Sequence, residues 1–433
     1  MLDALINALR APDIRRRILF VLVLLVVFRF LAHIPVPGVN QNALANVLQG
    51  NDFLQLLNLF SGGGFSNFSL VALGVNPYIN ASIIMQLMQG VVPRLQALSR
   101  EGEYGRTRLN QYTRYLAVPM ALIQAYGYLA ILSNNTISAG TPVIASFNLA
   151  SLLTITQIVT LTAGTIFTMW LGELITERGI GNGISFIIFA GIVSRVPQGI
   201  EAFLASPDFA LGTVFVIFAV FAVFAVVYMQ EGQRRIPVQY ASRVRGRRMY
   251  QGGSTFLPLR VNQAGVIPII FAISILLLPS QLATYFSNSA NGLVKDVSLG
   301  ILSWLDPHSW LYAGLYFTLT VGFTYFYTAF TFKPDETADQ LRKNGGFIPG
   351  IRPGSPTRDY LARVVVRISL AGALFLGGIA VLPTLISNLA AGSVLSNLGL
   401  GGTALLIVVS VVVETMKQLE AQLMMRNYEG FIR

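Results

Sequence analysis

The chain has 433 residues, 54% of them hydrophobic and only 11% charged, with 30 Lys and Arg against 19 Asp and Glu for a net charge of +11. Soluble domains carry roughly 25% charged residues, so a water-soluble globule is excluded and an integral membrane protein is indicated. Cysteine is absent and no Lys follows a Gly, which removes disulfides, thiolate chemistry, Cys-ligated metals and a Walker A loop.

Leu2, Leu5, Ile6 and Leu9 fall at helical spacing and predict a short amphipathic helix at the membrane surface. The basic cluster Arg15–Arg17 and the apolar run after it imitate a signal peptide. The run is long, contains Arg29 and lacks a small-x-small cleavage site, so it reads as a retained first span at 18–34. The stretch "FSGGGFSNFSLVALGVNPYINASIIMQLMQG", from Phe60 to Gly90, holds an apolar segment, Phe65 to Leu73, directly before a complete span at 75–93. A bilayer crossing takes about 20 helical residues, so Phe65–Leu73 is half a segment. Further apolar windows fall at 113–133, 153–174, 183–198, 211–229, 264–286, 310–332, 364–386 and 401–417. Their length predicts helices rather than the ~10-residue strands of a barrel.

Basic residues set the direction of these ten spans. Arg10, Arg15–Arg17, the cluster from Arg94 to Arg108, Arg178, the loops at 230–263 and 333–363, and Arg426 and Arg433 lie on one side; the other offers Arg195 and Lys295. Positive residues concentrate in the cytoplasm, so both termini are expected there. The fold class is an all-α polytopic membrane protein. Ten helices divide into halves at 1–205 and 206–433; five spans in each require the halves to be inverted, with a pathway between them. The loop at 231–260 carries seven Arg and two β-leaning stretches around a turn near Gly246, and the loop at 333–363 is stiffened by Pro334, Pro349, Pro353 and Pro356. Both exceed common connections and suggest a docking platform. Attraction to anionic lipid is one use of their charge; a polyanionic partner such as ribosomal RNA is another. His33 and His308 each stand alone beside an apolar stretch and receive no role.

"NLFSGGGFSNFSLVALGVNPYINASIIMQLM", "QYTRY", "MWLGELITERGIGNGISFIIFAGIV", "RVNQAGVIPIIFA", "NGGFIPGIRPG" and "GGTALLIVV" resemble, in order and spacing, the SecY family of protein-conducting channels. The resemblance implies a channel, not an enzyme, with no cofactor and no metal. It would pass unfolded secretory polypeptides across the bacterial cytoplasmic membrane and release membrane-protein helices into lipid. It implies a plug helix at about 61–73, formed by Gly62, Gly63, Gly64, Phe65, Ser66, Asn67, Phe68, Ser69 and Leu70, with glycine hinges and weak packing that permits release. It implies an apolar pore ring of Val75, Ile79, Ile184, Ile188, Ile270 and Ile407, which would exclude ions by dewetting. A lateral gate between the second and seventh spans would involve Asn80, Ser82, Gln86, Asn262 and Gln263, with Leu278 near Asn80 when closed. Arg352 and the loop tip Arg247 and Arg248 match partner contacts. The implied partners are the SecE and SecG subunits, the SecA motor ATPase, the ribosome, signal peptides, nascent chains and membrane lipids.

Two other classes remain open on the sequence. A secondary transporter also suits inverted halves and broken helices, but it usually needs ionisable groups at the midplane. Arg29, Glu173 and Glu414 are the embedded candidates, and all lie towards span ends. A structural scaffold would explain neither a half-segment nor an apolar ring.

Overall fold

A computed structural model describes residues 11–49, 54, 58, 61–134, 143–144, 147–148, 151–194, 196–197, 201, 204, 209–240, 243–245, 248–250, 253–287, 291–307, 309–389 and 402–432. The amphipathic stretch before Arg10 and His308 lie outside them. Every predicted span coincides with a helix: α1 Pro12–Leu31, α3 Asn76–Val91, α5 Glu103–Asn134, α6 Leu152–Arg178, α7 Gly183–Val193, α8 Phe209–Glu231, α9 Ile267–Phe286, α11 Trp310–Thr331, α13 Ser355–Leu389 and α14 Gly402–Ile432. By length and composition, Glu103–Ser133, Leu152–Arg178, Ile267–Phe286 and Ser355–Leu382 each suffice to cross a bilayer. Shorter helices stand between spans: α2 Gln41–Gln49, α4 Pro93–Arg100, α10 Gly292–Trp304 and α12 Pro334–Lys343.

The helix ends follow local chemistry. Proline opens α1, α3, α4, α9 and α12 within the first turn, where its missing N–H would be unpaired in any case. Asn182 caps α7 by accepting from the Ile184 and Ser185 amides, and Ser309 caps α11 by accepting from Leu311. α5 begins ten residues before its predicted apolar window because Glu103–Tyr112 continues the helix as a polar extension.

Neighbour relations among the spans repeat with an offset of five. In the first half α3 packs on α5, α5 on α6, α6 on α7 and α1 on α7; in the second, α9 packs on α11, α11 on α13, α13 on α14 and α8 on α14. Among the described helices the closest contacts between the halves are at α9 and α14. α9 lies against α3 and α5, and α14 lies against α7. Since each half holds an odd number of spans, the repeat is inverted.

The two long loops form one unit. β1 (Gln233–Tyr240) pairs antiparallel with β4 (Ser254–Arg260), from Gln233 opposite Arg260 to Gln239 opposite Ser254. Between them, β2 (Arg243–Arg245) and β3 (Arg248–Tyr250) make the hairpin expected around Gly246. On its other edge β1 pairs with β5 (Gly346–Phe347) from the second loop. A side chain on Gly346 would stand 2.9 Å from the Tyr240 ring, so this approach requires glycine. Along β1 the buried residues are Ile236 and Val238, alternating with exposed Arg235, Pro237 and Gln239. They join Leu259, Ile348 and Leu361, Val364 and Val365 of α13 in a separate small core. Period-two alternation puts one face of the sheet on that helix and leaves the other to solvent.

Candidate functional site

Residues 61–75 fold as consecutive turns, not as the short helix expected there. Gly62 (φ 69°), Gly63 (φ 82°) and Gly74 (φ 57°) take the left-handed conformation, and so does Phe68 (φ 41°). Each such residue interrupts a right-handed helix. The segment is stitched to the chain leaving α1: Val36 donates to the Phe68 carbonyl at 2.9 Å and Leu70 to the Ile34 carbonyl at 3.0 Å. Arg29 donates from Nη1 to the Gly62 carbonyl at 2.9 Å. Backbone meets backbone on the opposite side. A Cβ on Gly164 of α6 would sit 1.8 Å from the Leu70 carbonyl oxygen, and one on Gly191 of α7 would sit 2.2 Å from the Gly62 Cα. Small residues in membrane helices mark close approaches, yet nothing in the sequence says which glycines face this segment.

Its packing is dense where weak packing was expected. Phe65, Phe68, Val71, Leu73 and Val75 are completely buried. Phe65 meets Phe68 edge-on with ring centres 5.6 Å apart. The polar side chains turn inward on the segment itself: Ser66 Oγ donates to the Gly63 carbonyl and Ser69 Oγ to the Gly64 carbonyl. Asn67 Nδ2 donates to the Ala32 carbonyl at 3.5 Å. Ser66 and Ser69 thus carry their partners with them, so their bonds survive if the segment moves as a unit. Of the six ring residues, Val75, Ile79, Ile188, Ile270 and Ile407 are buried in the same apolar cluster as Phe65 and Phe68, and Ile184 packs against it. These residues come from α3, α7, α9 and α14 and from the turn before α3, and the cluster they share extends from Val21 to Val411.

The seam between α3 and α9 differs from expectation. Gln86 Nε2 donates to Ser82 Oγ at 3.2 Å along the same helix. Asn262 Nδ2 donates to the Gly265 carbonyl at 3.1 Å within the turn before α9. Asn80 is buried with its Oδ1 unpaired; Gln263 and Leu278 are half-buried. At helix spacing i and i+4 such side chains reach their own helix more readily than a neighbour. The polar links across the halves run instead between α5 and α9. Gln281 Nε2 donates to the Tyr128 hydroxyl at 2.8 Å, and the Tyr126 and Tyr285 hydroxyls lie 2.9 Å apart. Gln281 and Tyr285, one turn apart on an apolar helix, were a legible signal that pointed to no particular partner.

Arg29 and Glu173, two of the three embedded charges, are committed to structure. Arg114 Nε of α5 and Glu173 Oε1 of α6 form an ion pair at 2.7 Å, Arg29 holds Gly62, and Glu414 is exposed on α14. A cavity of about 540 Å³ opens between the halves, lined by Gln86, Asn110 and Thr113 from one and Tyr327, Lys333 and Glu336 from the other. Arg352 stands exposed between Gly350 (φ 81°) and Gly354 (φ 100°). Its carbonyl accepts from Thr357 Oγ1 at 2.9 Å, while its guanidinium has no partner among the described residues. Arg247 lies outside the described residues; Arg248 opens β3 opposite Arg245.

Two five-span helical halves packed on a shared apolar core, with the turns of residues 61–75 buried in it, define a polytopic membrane protein of the channel class. A family model described as SecY matches residues 69–416. The chain is 46% identical to the protein translocase subunit SecY of Mycobacterium bovis over 450 aligned positions, covering 100% of both chains. The chain belongs to the SecY family. Its fold is shared with a solved protein-conducting channel, at TM-score 0.64 and 17% identity over 93% of this chain and 91% of that one. A channel from a canine ribosome complex of the endoplasmic reticulum matches at TM-score 0.60 and 16% identity, with the same coverage.

Proposed function

We propose that this chain is the pore-forming subunit of a channel that moves unfolded secretory polypeptides across the cytoplasmic membrane of a bacterium and releases membrane-protein helices sideways into lipid. One observation supports the reading: Val75, Ile79, Ile188, Ile270 and Ile407 are buried in the same apolar cluster as Phe65 and Phe68, with Ile184 packed against it. A narrow apolar constriction holds out ions because water is unstable in it. Its side chains offer a sliding polypeptide no hydrogen bond to hold it back. The segment at 62–70 acts as the plug, and the α3–α9 seam is the exit to lipid.

The basic loops set both termini in the cytoplasm, with the halves dividing near 205. The β1–β4–β5 sheet, Arg352 and the loop-tip Arg247 and Arg248 form the cytoplasmic platform. The partners that suit it are the SecA motor, contacting Arg352, and the ribosome, whose RNA phosphates favour arginine through counterion release. SecE and SecG complete the complex. The chain contributes a conduit and no bond chemistry of its own.

The test is reconstitution into vesicles with SecE, SecG, SecA and ATP. Uptake of a presecretory protein that requires both SecA and ATP supports the reading; vesicles that take up no precursor overturn it. The transporter alternative is disfavoured by the ion pair of Arg114 with Glu173, which occupies an embedded carboxylate that a coupled transporter would use. Concentrative uptake of a radiolabelled small solute would reverse that judgement.

A further inference from the structure

α10 (Gly292–Trp304) stands between the end of α9 at Phe286 and the start of α11 at Trp310. The basic loops adjoin the other ends of these two spans, before Ile267 and after Thr331, so α10 lies at the opposite boundary of the membrane. It packs on α9, with Ser298 buried and Ile301 and Leu302 half-buried. Leu305, just after it, packs against the main core. A second apolar stripe has no such cover. Leu293, Val297, Gly300 and Trp304 recur at i, i+4, i+7 and i+11 and so share one helix face. Yet Leu293 is 79% exposed, Val297 62% and Trp304 67%. Lys295, Asp296 and Ser303 fall, with Leu299, on a third sector and are exposed as well.

We infer that α10 lies in the membrane interface opposite the basic loops, with its Leu293–Trp304 stripe seated among the glycerol and upper acyl groups of phospholipids. The chain connections hold it there, because both flanking spans end where hydrocarbon meets water. The adjoining turns of those spans are apolar and exposed in their turn, at Leu282 and Phe286 of α9 and at Trp310, Leu311 and Leu315 of α11. A stripe that meets neither the core nor a polar sector is therefore flanked by lipid-facing surface. Trp304 and Trp310 are two of the three tryptophans in the chain. An indole suits this zone because its ring is apolar while its N–H can reach the headgroups. The helix carries one Lys and one Asp, Lys295 and Asp296, whose charges cancel. Apolar area, and not the charge of the lipid, draws such a helix into the interface.

The chain lacks cysteine, so single labels can report each sector of α10. Leu293→Cys and Val297→Cys lie on the stripe, and Lys295→Cys and Ser303→Cys on the polar sector. Each variant carries an NBD fluorophore in the complex with SecE and SecG, reconstituted into phosphatidylcholine vesicles. A nitroxide on the upper acyl chain quenches from lipid, and iodide quenches from water. The stripe labels should lose most of their emission to the nitroxide lipid, at a depth of about 5–10 Å. They should also resist iodide several-fold better than the labels on the polar sector. Adding phosphatidylglycerol should leave this pattern unchanged. Iodide quenching on the stripe equal to that at Lys295→Cys would put the stripe in water and overturn the inference. Shielding of the stripe from both quenchers would overturn it as well, because a partner subunit or a second copy would then cover the face. Stripe labels that reach lipid only when phosphatidylglycerol is present would show that charge draws the helix in, which also overturns it.

Discussion

Arg29, near the end of α1, and Gly62, at the entrance of the proposed plug, are joined by a 2.9 Å hydrogen bond from the guanidinium Nη1 to the backbone carbonyl. His33 Nδ1 lies 2.8 Å from the Arg29 carbonyl one turn away, so the end of this helix is organised around the arginine. A hydrogen bond to a charged group contributes about 1.5–3 kcal/mol where buried, and the half-exposed setting of Arg29 lowers that to about 1 kcal/mol. Arg29→Gln should therefore raise the resting ion conductance of the channel several-fold in planar bilayers without reducing precursor export. A conductance equal to the parent's would show that Arg29 does not hold the plug.

Gly164 predicts a sharper effect. Alanine in place of glycine within a helix ordinarily stabilises it by about 0.5–1 kcal/mol. At Gly164 the added methyl would stand 1.8 Å from the Leu70 carbonyl oxygen, with no flexible side chain to give way. Gly164→Ala should displace the plug and produce a leak larger than that of Arg29→Gln. Gly127→Ala on α5, where nothing lies within 4 Å, is the control and should leave conductance unchanged. Equal behaviour of the two variants would refute the backbone contact.

The collar makes a separate prediction. Ile79 and Ile188 come from different helices of the same buried cluster. Replacing both with Ser should wet the constriction, because its apolar lining is what excludes water and ions. Conductance should rise further when residues 65–70 are also removed. If the double variant seals as well as the parent, these residues pack the core without lining the pore.

Arg352 tests the platform. Exposed on a loop held by two left-handed glycines, it bears no load within the described fold. Arg352→Glu should leave thermal stability within about 0.5 kcal/mol, as expected of a surface change, and reduce SecA-driven export by at least tenfold. Export near the parent level would leave Arg352 a topology charge.

The seam can be locked. Asn80 on α3 and Leu278 on α9 belong to helices that pack together, and a disulfide forms readily where Cα atoms approach within about 7 Å. Asn80→Cys with Leu278→Cys should crosslink under mild oxidant and stop precursor export until reductant is added. A signal helix about 10–12 Å across could not enter between tethered helices. A crosslinked channel that exports at full rate would exclude this seam as the exit.

The ten spans and the hairpin around Gly246 were legible without coordinates. A span is a local property: about 20 apolar residues suffice in lipid because a helix satisfies its own backbone. The hairpin likewise depends on residues within a few positions of one another. Tertiary structure alone decided that Gly164 and Gly191 touch the segment at 62–70, and that this segment is a dense run of turns. It alone decided that β5 joins β1 across the membrane-spanning helices between them, and that Ser82 and Gln86 bond along their own helix. Tyr126 and Tyr128 meet α9 for reasons equally hidden in the chain. Inside a bilayer no hydrophobic force selects one helix neighbour over another. Partner choice falls to the fit of small residues and a few hydrogen bonds between positions more than a hundred residues apart, and that complementarity exists only once the helices are side by side.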